Sequence, residues 1–414
     1  MSPVPWSAVG LVVQKYGGTS VADPDRLRSV AEHVIRTRER GDDVVVVVSA
    51  MGNTTDDLLR LAHEVSHAPA ARELDMLLTS GERIPISLLC MALIDRGAAA
   101  RSFTGSQAGI VTDAAHGRAK IVEVRADRVR EALADGSVAV VAGFQGVSTD
   151  ANITTLGRGG TDTTAVALAA ALGADSCEIY TDVAGVFTAD PRVVADARKL
   201  AHLSFEEMLE LSATGGKVLA LRSVELARNH GVPVHVRSSF TWAPGTWVDR
   251  EDSTMEQAII SGVSHDVSEA KVTIRRVPDR PGVAATLFRA LADEGVNVDM
   301  IEQNVSFDGF TDISFTVPRT DVNRATTVME KMVDETGASG YSYDDAIARV
   351  SVVGAGMKTH PGIAAEVFEI LARESVNIEM ISTSSIRISC VVREAHVERA
   401  VRALHAAFCV ADES

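Results

Sequence analysis

From Leu11 to about Val236, short apolar or β-branched runs alternate with longer segments of helical period. Residues 11–14, 44–49, 138–144 and 178–181 are such runs, and continuous runs of this kind predict strands covered on both faces. Between the first two, Leu27, Val30, Ala31, Val34 and Ile35 recur at i, i+3, i+4, i+7 and i+8, the stripe of a helix packed on one side. Arg36, Arg38 and Arg40 follow, and Gly41 marks a C-terminal stop. Strand, helix, strand, repeated along the segment, makes a layered α/β sandwich with a mainly parallel sheet. In such sheets, ligands bind at the carboxyl ends of the strands.

The periodicity fades around residues 240–267, and Trp242, Ala243, Pro244, Gly245 and Thr246 form a turn-rich stretch. This places a first domain at residues 1–245 and a linker at 246–268. Beyond it the chain repeats itself: shifted by 80 residues, 281–301 aligns with 361–381, and 12 of the 21 positions are identical. The pairs include Pro281/Pro361, Gly282/Gly362, Phe288/Phe368, Asn297/Asn377 and Met300/Met380. Each copy reads as a strand (271–275; 349–353), a Pro-Gly turn and a helix (283–294; 363–374). A Val-Asn turn, further strands (312–317; 386–392) and a second helix (324–333; 397–408) follow. This is βαββαβ, the ferredoxin-like arrangement, at 269–345 and again at 346–414. Two copies without a catalytic cluster point to binding, because the helix that opens after each Pro-Gly offers free amides to a carboxylate. A ligand-free dimerisation module is the alternative.

A length of 414 residues exceeds what one core usually serves. The composition, 46% hydrophobic and 23% charged, is that of a folded chain rather than a disordered one. Lys plus Arg number 40 and Asp plus Glu 56, a net charge of 40 − 56 = −16. Such a surface repels phosphate backbones, so nucleic acid is not an expected partner. No apolar run is expected to approach the roughly 18 residues of a membrane span, and Met1 to Gly10 lack the pattern of a secretory signal. The expectation is a cytoplasmic protein without a membrane partner. Cys90, Cys177, Cys390 and Cys409 stand far apart among apolar residues and read as small buried hydrophobes.

Candidate chemistry lies in four pieces. Lys15-Tyr16-Gly17-Gly18-Thr19-Ser20 follows the first strand; its glycines permit close approach to phosphate oxygens and Lys15 adds a point charge. A glycine pair after a strand also serves as a plain tight turn. The second piece, Gly157-Arg158-Gly159-Gly160-Thr161-Asp162, opens into the apolar helix 165–172. Asp162 or Thr161 can cap that helix, while Arg158 offers a planar fork suited to a carboxylate. The third, Asp182 to Arg192, contains Gly185 and Asp190-Pro191, which are also turn formers. The fourth, Gly215-Gly216-Lys217-Val218, puts Lys217 at the start of a helical segment running to Asn229; a solvated surface lysine is the plain alternative.

Together these pieces resemble the aspartate kinase family, of the amino acid kinase (carbamate kinase-like) fold. The motifs are Lys-Tyr-Gly-Gly-Thr-Ser at 15–20, Val-Ser-Ala-Met-Gly at 48–52, Ser-Gly-Glu-Arg at 80–83 and Phe-Thr-Gly-Ser-Gln-Ala-Gly at 103–109. Gly-Arg-Gly-Gly-Thr-Asp at 157–162, Phe-Thr-Ala-Asp-Pro-Arg at 187–192 and two ACT-type modules complete the match. The resemblance implies a three-layer α/β sandwich followed by two ACT domains, and ATP-dependent phosphorylation of the side-chain carboxylate of L-aspartate. A carboxylate is already ionised at neutral pH, so no general base is needed. By the same resemblance Lys15, Asp162 and Lys217 are catalytic. ATP, with Mg²⁺ bridging its oxygens rather than held by protein side chains, would meet Lys15, Tyr16, Gly17, Gly18, Thr181, Asp182, Phe187, Arg192 and Lys217. Glu82 would pair with the ammonium of aspartate and Arg158 with its α-carboxylate, with Ser49, Thr55, Gly160, Thr161 and Asp162 completing the acceptor pocket.

In that family ACT modules bind lysine, with or without threonine. Asp279, Asn297, Gln303, Asn377, Ile378, Thr383 and Ser384 are the corresponding effector positions. For Asn297 and Asn377 a turn that closes a helix is the alternative. The chain departs from close relatives at Ser385, where they have Glu, which predicts weakened feedback. Pro85 stands where relatives have Ser, and is expected to alter a helix start. Met255-Glu256-Gln257-Ala258 resembles the internal start from which relatives make a small subunit, implying an α₂β₂ assembly or a homo-oligomer. The rival readings are a kinase of the same fold with another acceptor and a catalytically silent amino acid sensor.

Overall fold

The structure, a computed structural model, describes residues 10–250, 260–304, 306 and 308–409. They fall into two compact units. The first is drawn from Met1–Val186, Lys199–Ser212 and Lys217–Met255, the second from Phe187–Arg198, Ala213–Gly216 and Glu256–Ser414. The four residues around Met255 proposed as an internal start lie outside the described residues.

The first unit is built on an eight-stranded sheet. Its order is His202–Ser204, Thr246–Asp249, Val234–Ser238, Ser176–Thr181, Leu11–Tyr16, Asp43–Val48, Val138–Ala142 and Ala100–Phe103. Every neighbouring pair is parallel except Thr246–Asp249 against Val234–Ser238. The run of five valines from Val44 to Val48 is wholly buried because both faces are covered. Val44, Val46 and Val48 pack with helices Pro24–Glu39 and Ser80–Ile94, and the alternate positions turn to the other face, where helix Gly160–Leu172 lies. Gly41, at φ +100, follows the first helix as its pattern predicts. A second, four-stranded sheet runs Ile121–Val124, Ile110–Thr112, Gln145–Ser148, Ile153–Thr155.

The segment expected as a linker, 246–268, holds two strands among its described residues, Thr246–Asp249 and Gly262–Asp266. Trp242–Gly245 is a hairpin turn, and Thr246–Asp249 returns as a sheet strand paired with Val234–Ser238. The turn closes so tightly that a Cβ on Gly245 would lie 1.9 Å from the Val236 carbonyl oxygen. A turn-rich sequence is silent on whether the chain leaves or doubles back. The membrane expectation also needs correction. Ala71–Ile94 is long and apolar enough, by length and composition, to cross a membrane, interrupted only at Thr79 between helices Ala71–Leu78 and Ser80–Ile94. Half of its apolar 18-residue window is buried, with Leu78, Ile86, Leu89 and Leu93 in the core. Pro85 sits buried inside the second helix rather than at its start.

The second unit holds two four-stranded antiparallel sheets. The first runs Ile301–Gln303, Phe310–Pro318, Glu269–Pro278, Gly340–Asp344, covered by helices Val283–Asp293 and Val322–Thr336, which is βαββαβ in one continuous stretch. The second runs Gly262–Asp266, Ile347–Val353, Arg387–Arg393, Met380–Thr383, with helices Ile363–Arg373 and Val397–Phe408. Its fourth strand therefore comes from ahead of the first module. Gly262–Asp266 occupies beside Ile347–Val353 the place that Gly340–Asp344 takes beside Glu269–Pro278. The boundaries 269–345 and 346–414 thus miss one strand of the second module. All four cysteines are free and buried, and burial pushes the thiols of Cys90 and Cys390 up to about 12 and that of Cys409 up to about 11, as expected of structural residues.

Candidate active site

Strand Leu11–Tyr16 sends alternate side chains to opposite faces. Lys15 goes to one, 9% exposed, and its Nζ lies 2.6 Å from Asp162 Oδ1. Asp162 stands in the first turn of helix Gly160–Leu172. It does not cap that helix: the N-cap is Gly159, at φ +74, without a side-chain cap bond. A buried ammonium requires such a partner. The glycine loop then folds over the ion pair as a 3₁₀ turn, Gly18–Val21. A Cβ on Gly17 would lie 3.6 Å from Lys15 Nζ, and one on Gly18 would meet the carbonyl oxygens of Ala50 and Gly52 at 2.9 and 3.1 Å. Gly18 is therefore needed for the loop to close on the Ser49–Gly52 turn, whereas at Gly17 a Cβ would only touch the lysine.

Ser49 Oγ donates to Thr161 Oγ1 at 3.0 Å, beside Gly143, whose missing Cβ would lie 2.5 Å from Thr161 Cγ2. Lys15, Asp162, Ser49 and Thr161 are thus one cluster. Glu82, in the first turn of Ser80–Ile94, adjoins it through Ala50, which lies 3.1 Å from the Cβ position of Gly81. Burial pushes the Glu82 carboxyl up to about 7, against weaker stabilisation by its own amide, Gln145 and the Ala50 amide. Arg158 is exposed between two glycines of positive φ, Gly157 and Gly159. Thr55 is half-buried on Thr54–Val65. Thr181 donates to Asp182 Oδ1 at 3.1 Å at the end of strand Ser176–Thr181.

Other positions differ from expectation. Tyr16 shares the lysine's loop but not its face: it is wholly buried, stacked on Tyr180 at 4.6 Å, and its hydroxyl donates to Gln14. Its side chain is therefore not available to a nucleotide. Lys217 is exposed in the turn ahead of helix Leu221–His230, not on it. Phe187 and Arg192 belong to the Phe187–Arg198 segment of the second unit, where Arg192 pairs with Asp190 at 2.7 Å. Among the described residues no group of three or more His, Cys, Asp or Glu is arranged to hold a metal ion.

Sequence reading passed over Gln145, which donates to the Thr79 carbonyl oxygen at 3.1 Å and reaches Glu82 at 3.5 Å. It also missed Asp75, 1% exposed, and Arg222, which donates to the carbonyl oxygens of Leu156 and Ala119 at 3.0 and 2.9 Å. An acid inside the apolar run Leu74-Asp75-Met76-Leu77-Leu78 was the available signal.

In the second unit, Asp279, Asn297, Gln303, Asn377, Thr383 and Ser384 are exposed and Ile378 is half-buried. Gln303 and Thr383 lie on the edge strands of their sheets. Neither Asn297 nor Asn377 supplies the positive φ that ends its helix; Gly295, at +69, and Ser375, at +55, do.

The amino acid kinase family profile matches residues 10–238, and ACT domain profiles match 272–335 and 350–408. The aspartokinase of Mycolicibacterium smegmatis is 58% identical over 405 residues, 97% of this chain and 96% of that protein. The aspartokinase of Corynebacterium glutamicum is 56% identical over 410 residues, 98% of this chain and 97% of that one. Among solved structures, E. coli aspartokinase III in complex with aspartate and ADP aligns at a TM-score of 0.82 and 26% identity, covering 97% of this chain and 100% of that chain. The same enzyme with lysine and aspartate aligns at 0.73, covering 96% and 99%.

Proposed function

This chain belongs to the aspartokinase family of amino acid kinases, and from that premise we propose that it transfers the γ-phosphoryl group of MgATP to the side-chain carboxylate of L-aspartate. A carboxylate oxygen attacks the γ-phosphorus, the bond to the β,γ-bridging oxygen breaks, and ADP and 4-phospho-L-aspartate leave. The observation that carries the reading is the buried Lys15–Asp162 pair at 2.6 Å beneath the glycine loop.

The obstacle is two anions that repel. Catalysis must come from alignment and from fixed positive groups placed where charge accumulates. Lys15, held by Asp162, provides one such group without having to be ordered during the reaction. The amides of Gly17 and Gly18 and the ammonium of Lys217 add to it, and Thr181 and Asp182 line the nucleotide. Mg²⁺ supplied with the nucleotide would offset the phosphate charge. Glu82 takes the ammonium of aspartate, Arg158 its α-carboxylate, and Ser49, Thr55, Gly160 and Thr161 the remainder. The exposure of Arg158 and Lys217 suits side chains that order when ligand arrives.

The positions from Asp279 to Ser384 named above take lysine, threonine or both as feedback effectors, weakened where Ser385 replaces an acid. The product feeds amino-acid biosynthesis in the cytoplasm. Trapping acyl phosphate as hydroxamate, with aspartate and MgATP and then with lysine and threonine added, tests both statements. The wild type forms hydroxamate, and Lys15→Ala loses at least about 10² in kcat, the scale of one missing electrostatic partner in the transition state. Near-normal turnover in that variant would refute the assignment of Lys15.

A further inference from the structure

Asp75 lies on helix Ala71–Leu78 with its carboxylate 1% exposed, outside the constellation that meets substrate. It is fully engaged. Oδ1 accepts from Thr155 Oγ1 at 2.6 Å and from the Gly117 amide at 3.1 Å; Oδ2 accepts from the same amide at 3.2 Å and from His116 Nδ1 at 2.6 Å. Against a carboxylate, that imidazole nitrogen carries the proton.

Each partner leads to the Arg158 loop. Thr155 ends strand Ile153–Thr155, three residues before Arg158. The turn containing His116 and Gly117 lies against the same loop: the Ala119 amide donates to the Thr155 carbonyl oxygen at 2.9 Å, and the Gly117 carbonyl oxygen is 3.0 Å from where a Cβ on Gly157 would sit. Arg222 joins the carbonyl oxygens of Leu156 and Ala119 from the other side. In the opposite direction, the Asp75 carbonyl oxygen accepts from the Thr79 amide at 3.0 Å. Gln145 holds the Thr79 carbonyl oxygen, and Glu82 follows three residues later. One buried carboxylate therefore connects the segment that carries Glu82 to the segment that carries Arg158.

We propose that Asp75 is a positioning residue that fixes the Arg158 loop relative to Glu82, and so sets the enzyme's selection for an acceptor with an α-carboxylate at the right distance from its ammonium. The proposal rests on the assignment of Glu82 and Arg158 to the two ends of aspartate. Losing a charge-assisted contact weakens binding by about tenfold or more, whereas Lys15 and Asp162 hold each other directly at 2.6 Å.

The test compares L-aspartate with its α-amide, which keeps the ammonium and the reacting carboxylate but gives Arg158 no charge. In Asp75→Asn, KM for L-aspartate should rise at least about tenfold, with kcat within about threefold and KM for MgATP unmoved. The kcat/KM for the α-amide should stay within about twofold of the wild-type value. An unchanged KM for aspartate, or an equal loss for both acceptors, overturns the proposal, the second because general loosening spares neither. Thr155→Val keeps the carboxylate and removes one donor, and carries the same test if Asp75→Asn does not fold. Should the wild type form no acyl phosphate from aspartate, the functional reading fails instead. Amide hydrogen exchange at 116–119 and 156–160 in the same variants then decides the clamp, with unchanged protection counting against it.

Discussion

Glu82 shows how a single residue couples burial to chemistry. Its carboxyl is neutral below about 7 in the ligand-free enzyme because burial disfavours the charge. In the proposed role, binding the ammonium of aspartate requires the carboxylate, so protonation would compete with substrate. The kcat/KM for aspartate should therefore climb about tenfold per pH unit below about 7 and level off above it, and Glu82→Gln should give a low, flat profile. A wild-type profile already flat from about pH 5.5 to 8 would contradict the role. At this scale the sequence sets Lys15, Asp162 and Glu82 apart as candidates because each is a charged residue at a strand end or helix start beside glycines. The burial of the Tyr16 side chain on the other face was not legible, because a motif gives order along the chain, not side of the sheet. Asp75 was not legible because its partners, His116, Gly117 and Thr155, are distant in sequence.

Three parallel strands meet beneath the site on the buried carboxylate of Glu178. Its Oε2 accepts from Gln14 at 2.8 Å and Tyr180 at 2.9 Å, and its Oε1 from Arg237 at 2.8 Å, tying Leu11–Tyr16 and Val234–Ser238 to Ser176–Thr181. Burial alone would raise its pKa, but the His235, Arg237 and Gln14 contacts outweigh it and hold the carboxyl at about 2. A depressed acid adds stability that is fully present above its unfolded value and lost as pH falls towards the folded one. Glu178→Gln should thus cost the first unit about 3 kcal/mol at pH 7, leaving Arg237 buried without its partner. The gap from wild type should narrow as pH falls from about 4.5 to 2. Urea unfolding across that range reads it, and a gap constant with pH would count against the mechanism. The continuous apolar runs announced these strands. Thr246–Asp249 and Gly262–Asp266 escaped notice because they are short and are defined by partners reached through long-range pairing rather than by their own composition.

For the molecule as a whole, the repeat predicted two like modules but not how the second is completed. A chain starting at Met255 would include every strand of the second unit's two four-stranded sheets, Gly262–Asp266 among them. Within this unit Arg349 is 1% exposed and draws the modules together. It lies on strand Ile347–Val353 of the second and meets Glu269 at 2.8 Å and Asp299, both of the first, while also donating to the Ala213 carbonyl oxygen at 2.9 Å. Glu269 is pushed up to about 7, mostly by burial, with Arg349 pulling it down and Asp299 and Asp266 pushing it up. Arg349→Met removes the cation and strands the carboxylates, a change that costs roughly 3–5 kcal/mol when a buried pair is broken. Without Arg349, Glu269 holds its proton to higher pH in the folded state, so the variant's stability falls with pH more steeply than the wild type's. The deficit in urea midpoint for the second unit should therefore be larger at pH 8 than at pH 5, because at the lower pH Glu269 is neutral with or without its arginine. An unchanged midpoint, or a deficit larger at pH 5, would mean that the cluster is held by packing rather than by charge.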